Sequence, residues 1–166
     1  MCLYIDSKEK ECKVADCDIT VYKYVAKCVK SVDGVYTKDF KLLRRKGIEL
    51  VWVSPYCKDI MKIEYKPGET ISDEQFEAVA TKLHPLSDSY CIFNGLHTFA
   101  NKSSAKDRAC SFTSIDGWTG VLECVIPAGT RYWTDGNEYC SESLRVEKLV
   151  FQSYESNLKD FVNSNE

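Results

Sequence analysis

Ile19-Thr20-Val21-Tyr22-Lys23-Tyr24-Val25-Ala26-Lys27-Cys28-Val29 is a run of β-branched and aromatic residues with no glycine or proline inside it. Such side chains suit a pleated surface, so the run predicts one long early strand. Upstream, residues 7–18 carry Lys8, Glu9, Lys10 and Glu11 and read as a polar loop between two strands. Downstream, Asp33-Gly34 signals a turn. Asp39 to Arg45 reads as a short helix ended by Gly47. Ile48 to Val53 is apolar and β-prone until Ser54-Pro55 interrupts it. Met61, Ile63 and Tyr65 then alternate with Lys62, Glu64 and Lys66, the period of a half-buried strand, and Pro67-Gly68 turns the chain.

Ser72-Asp73-Glu74-Gln75 has the form of a capping box. Phe76, Val79, Ala80 and Leu83 follow at helical spacing, and His84-Pro85 supplies a stop. These residues predict a helix from Ser72. Tyr90 to Phe93 reads as a strand. Asn101 to Phe112 reads as a second helix, begun by Ser103 or Ser104. Thr119 to Ile126, Thr130 to Trp133 and Glu142 to Phe151 read as three more strands. Asp116-Gly117, Ala128-Gly129 and Asp135-Gly136 provide turns. Tyr154 to Val162 suits a terminal helix, and residues 163–166 a frayed tail. Helices scattered among strands without βα alternation give an α+β fold. The expectation is a single domain over 1–166, a mostly antiparallel twisted sheet with two to four helices.

Composition narrows the classes of function. The chain has 166 residues, 44% hydrophobic and 28% charged, with ten tyrosines, seven phenylalanines and three tryptophans. That is enough apolar material for a core and argues against disorder. The formal charge of −3, with both signs interspersed, gives no strong nucleic-acid signal. The start of the chain lacks the pattern of a secretion signal, and no run is long and apolar enough for a membrane helix. Nine cysteines against two histidines fit neither a complete set of disulfides nor a zinc site. They predict free, buried thiols, a cytoplasmic setting and no metal.

Chemistry-bearing residues are few. Gly-rich phosphate loops are missing from the sequence. His97, in Asn94-Gly95-Leu96-His97-Thr98-Phe99, stands at a strand-to-helix junction, where it either rims a cleft or fixes a loop through the backbone. Glu138 and Glu142 return close together at the entrance to the last strand. They are placed to orient a sugar hydroxyl or act as a base, or they are a solvated strand entrance. Trp118, Tyr132, Trp133 and Tyr139 form either a stacking platform or core packing. Tyr65, His97, Trp133, Tyr139 and Glu138 are the candidate binding residues.

Motif order adds a resemblance. Val21-Tyr22-Lys23, Ser54-Pro55-Tyr56, Tyr65-Lys66-Pro67-Gly68-Glu69, Gly95-Leu96-His97 with Ala105, Ile126-Pro127-Ala128-Gly129-Thr130 and Cys140-Ser141-Glu142-Ser143 follow one another. In that order the chain resembles small uncharacterised proteins of phages and prophages of gut bacteria, over residues 19–150. The resemblance implies a phage setting in a bacterial host cytoplasm and no established chemistry. A fainter similarity is to ADP-ribosyltransferases, whose catalytic glutamate sits on a late strand, often after a turn like Ile126 to Thr130. It implies Glu142 as that glutamate, with His97 or Thr113-Ser114 near a nicotinamide pocket. The early strand departs from that family in offering Tyr22-Lys23 where Arg or His is expected, and Cys140 replaces an acidic or amide residue two before Glu142.

The leading expectation is therefore a phage accessory protein that binds a host protein or a small ligand without a cofactor and without catalysis, with counter-defence as a setting. The alternative is an NAD-dependent ADP-ribosyltransferase-like enzyme using Glu142 and His97. A minor virion component is a further alternative.

Overall fold

The computed structural model describes residues 3–6, 11–55, 63–83 and 89–158. The strands before the helix are β1 (Leu3–Asp6), β2 (Lys13–Val14), β3 (Ile19–Lys30), β4 (Tyr36–Thr37), β5 (Glu49–Val53), β6 (Thr70–Ser72), β7 (Thr81–Lys82), β8 (Ser89–Ile92) and β9 (Leu96–Phe99). Helix α1 (Lys102–Asp116) follows, then β10 (Trp118–Ile126), β11 (Arg131–Thr134), β12 (Glu138–Ser141) and β13 (Ser143–Tyr154). Every pairing among these strands is antiparallel, as the α+β reading requires.

β3 is the spine. It pairs with β10 from Ile19 to Ala26 and with β5 from Ala26 to Lys30, and Tyr22 meets Phe99 of β9. Both of its faces are buried, which is why its sequence runs nearly unbroken in apolar residues. Val21, Val25 and Val29 point into the main core with Trp52, Trp118, Leu122, Ile126 and Leu144. On the opposite face Tyr24 packs with Ala105 and Ala109 of α1. The large sheet runs β2-β11-β12-β9-β3-β10-β13-β6. It curls, since Tyr132 and Tyr139 near one end share a core with Leu144 and Val146 near the other. Register shifts between Val121 and Leu122 and between Glu123 and Cys124 supply the bend.

The small sheet β1-β8-β7 covers the outer face. Leu3, Ile5 and Ile92 pack there on Trp133 and Cys140, and Trp133 Nε1 donates to the Glu77 carbonyl at 2.7 Å.

The structure corrects several expectations. The segment from Ser72 is no helix. Ser72 ends β6, paired with Ser143, and its hydroxyl lies 3.1 Å from Ser143 Oγ, so it caps nothing. Asp73 Oδ1 accepts from the Gln75 amide within a turn, and of the expected stripe Val79 is 75% exposed. Strand pairing with β13 outcompetes a locally good helix signal. Among the described residues one α-helix and two 3-10 turns, Phe40–Arg44 and Ser156–Leu158, stand where two to four helices were expected. The expected terminal helix is described only to Leu158, and the stop at His84-Pro85 lies outside the described residues.

α1 begins one residue after Asn101, whose Oδ1 accepts from the Ser104 amide and the Ser103 hydroxyl, both at 2.9 Å. Asn101 is therefore the cap, in place of either serine. The expected loop at 7–18 contains β2, with 7–10 outside the described residues. Of the expected strand Met61 to Tyr65, Met61 and Lys62 also lie outside; Glu64 makes one bridge to Val53 and Tyr65 is wholly buried. The expectation of unlinked thiols fails at Cys91, which is disulfide-bonded, while Cys12, Cys17, Cys28, Cys110, Cys124 and Cys140 are free.

Candidate functional site

β9 and β12 pair so that His97 stands opposite Cys140. Their contact is 3.6 Å from Nε2 to Sγ. Nε2 is also 3.2 Å from the Phe93 carbonyl, and the thiol donates to the Asn94 carbonyl at 3.5 Å. The tautomer that donates Nε2–H to Phe93 leaves Nδ1 bare, and Nδ1 is buried with no hydrogen-bond partner. Burial, then the positive charge of Lys23, pulls the His97 pKa down to about 4. Burial likewise pushes the Cys140 thiol up to about 12. Neutral imidazole beside protonated thiol is the reverse of an activated nucleophile, which needs thiolate. Gly95 makes the close packing possible: with φ of +135°, any Cβ there would collide with Cys140 Sγ.

Glu142 lies between β12 and β13. Arg131 Nε and Nη2 donate to its two carboxylate oxygens at 2.9 and 2.7 Å. These hydrogen bonds hold the Glu142 carboxyl below the usual range. The Arg131 guanidinium also lies 5.5 Å from the Phe76 ring. The carboxylate thus faces a built-in cation at the surface while His97 is enclosed beneath the small sheet.

Tyr65 belongs to the main core inside the curl. Lys23, 4% exposed, reaches the same place. Its ammonium donates to the His97 carbonyl at 2.7 Å and lies 5.4 Å from the Tyr65 ring centroid. Trp133 is buried on the other face of the sheet. Tyr139 packs on Tyr132 with centroids 5.7 Å apart, at the edge of the main core. Trp118 sits deeper, edge-on to Trp52 at 6.2 Å. These rings are packing, divided between two layers, and make no shared platform. Glu138 opposes Phe99 and is half-buried; burial, then neighbouring Asp135, raises its pKa. Thr113 and Ser114 lie in the last turns of α1, with the Thr113 hydroxyl donating to the Ala109 carbonyl. The structure therefore brings Tyr65 and His97 together only through Lys23, on opposite sides of the sheet, and sets Glu142 apart.

Sequence reading missed a different constellation. At the carbonyl end of α1, buried Asp116 accepts from the Tyr24 hydroxyl on Oδ2 and from the Lys38 ammonium on Oδ1, each at 2.5 Å. A cavity of about 240 Å³ opens beside it, lined by Lys38, Phe40, Ser114, Ile115, Asp116, Gly117, Glu155 and Leu158. Asp116-Gly117 reads in sequence only as a turn, and Tyr24 and Lys38 are brought to it by tertiary folding alone. A second, shallow depression of about 370 Å³ runs along α1 between Phe99 and Phe112.

No protein-family model, no curated protein and no solved structure matches this chain.

Proposed function

We propose that this chain is a phage or prophage accessory protein that binds a host protein or a small ligand and does not turn it over. The observation that supports this reading is the separation of the candidate catalytic groups. Glu142 has both oxygens held by Arg131, and His97 is neutral beneath the small sheet. A glutamate that must engage a ribose hydroxyl needs a free oxygen facing the substrate. A host nuclease or another defence component is the partner class this reading favours, reached through charge complementarity with an acidic chain.

A bacterial host cytoplasm is part of the proposal, on the strength of the six free thiols among the described residues. The Cys91 bond argues the other way, toward oxidising surroundings. No helix among the described residues is long and apolar enough to cross a membrane.

The test is affinity capture of host proteins on the immobilised chain, run beside incubation with labelled NAD and host lysate. Reproducible capture of one host protein with no label transfer supports the reading. Label transfer that is lost in Glu142→Gln establishes the enzyme alternative instead.

A further inference from the structure

We infer that the interior of the curled sheet binds one ordered water molecule, held between the hydroxyls of Thr98 and Ser141 beside the Lys23 ammonium. The site is independent of the binding reading above and lies on the opposite face of the sheet from Cys140.

The alternation of β9 and β12 turns two small hydroxyl side chains inward. On β9, Leu96 belongs to the main core and His97 contacts Cys140 on the outer side, so Thr98 faces inward with Leu96. On β12, Cys140 belongs to the outer layer and Tyr139 packs on the main core, so Ser141 faces inward with Tyr139. Register sets Ser141 opposite Leu96 and Thr98 opposite Tyr139, which makes Thr98 and Ser141 diagonal neighbours on one face. Thr98 is 1% exposed and Ser141 0%, and neither Oγ has a hydrogen-bond partner in the protein. A buried hydroxyl left unpaired costs its full desolvation, and in folded proteins such groups nearly always find a partner, protein or ordered water.

A third polar group stands alongside. Lys23 lies between Val21 and Val25 of β3, shares their inward face and is almost fully buried. Its ammonium donates at 2.7 Å to the His97 carbonyl, the peptide group that leads directly into Thr98. An internal water typically makes about three hydrogen bonds to groups of this kind. The two hydroxyls supply its anchors and the ammonium supplies polar surroundings. Water both donates and accepts, so it satisfies each hydroxyl whichever way that hydroxyl turns, which an anion cannot do. β9 and β12 are then joined through side chains on both faces, by the His97–Cys140 contact outside and by the water inside.

The experiment pairs a crystal structure of the full chain, at a resolution that shows ordered solvent, with melting temperatures of Thr98→Val, Ser141→Ala and the double variant. The expected result is a solvent peak within hydrogen-bond distance of both hydroxyls. Each single variant should melt lower than wild type. The two losses should fall short of adding in the double variant, because removing either hydroxyl releases the same water. A Thr98→Val protein that melts higher than wild type overturns the proposal, since an unpaired hydroxyl would then have been replaced by a better-packed methyl group. Well-ordered density with no peak between the hydroxyls, or a peak that scatters anomalously as chloride, overturns it as well. The wild-type density decides the matter even where a variant fails to fold.

Discussion

Arg131 closes on Glu142 with two parallel hydrogen bonds, at 2.9 and 2.7 Å, from β11 to the residue that joins β12 to β13. A fork of this kind matches a carboxylate in both charge and shape. It also uses the oxygens that a catalytic glutamate would offer to substrate. Glu142→Gln is therefore expected to leave ligand capture unchanged and to shift the melting temperature only slightly, because the pair is solvent-exposed. Calorimetry beside the labelled-NAD assay checks this. Loss of an activity present in wild type would reverse the assignment.

His97 gives a pH dependence of stability with a defined sign. Its pKa falls from 6.5 in the unfolded chain to about 4 in the folded one. Above pH 6.5 both states are neutral at this residue and its contribution is complete. As pH falls from 6.5 toward 4 the unfolded state takes up a proton that the folded state refuses, and stability declines by up to about 3 kcal/mol. Below about 4 this residue adds no further loss. Urea unfolding across that window should show the decline, and His97→Gln should flatten it. An equally steep curve in the variant would assign the decline to other groups.

Gly95 and Gly120 are packing positions of different kinds. At Gly95 a methyl group meets Cys140 and the backbone is also held at positive φ. Gly95→Ala should cost at least about 2 kcal/mol. Adding Cys140→Ala should recover only the steric share, so the two changes will be non-additive in a double-mutant cycle. At Gly120 a Cβ would lie 2.7 and 2.9 Å from two atoms of the Trp52 ring. Gly120→Ala should cost about 1–3 kcal/mol and alter the near-ultraviolet dichroism of Trp52. An unchanged spectrum and stability would show that the indole has room to move.

Thiol reactivity separates the cysteines by burial. Cys17 and Cys110 are exposed and should alkylate in the native protein, while Cys28, Cys124 and Cys140 should react only on unfolding. Burial pushes Cys124, like Cys140, up to about 12, so neither supplies thiolate near neutrality. Cys91 should be modified only after reduction. Mass spectrometry of protein alkylated with and without reductant reads all of these together. Modification of Cys91 without reductant would show that the bond does not form.

Much of the sheet can be read along the chain because its strands carry their own signal. Ile19 to Val29 announces β3 since burial on both faces leaves few polar positions, and Glu49–Val53 and Trp118–Ile126 are bounded by glycine or proline turns where strands must end, while the last strand, read as Glu142 to Phe151, runs from Ser143 to Tyr154. Local capping chemistry at Ser72 misleads for a reason outside the local sequence. The backbone amides and carbonyls of Thr70 to Ser72 find partners on β13, more than seventy residues away in the chain. Pairing across such a distance decides between helix and strand. The same holds for function. Glu142 and His97 are visible as residue types in sequence, but whether an oxygen is free or an imidazole charged depends on Arg131 opposite the one and the small sheet over the other. Asp116 becomes noteworthy only when folding delivers Tyr24 and Lys38 to it. Local propensity is a property of neighbours along the chain, whereas charge state, access and partnership are set by neighbours in space.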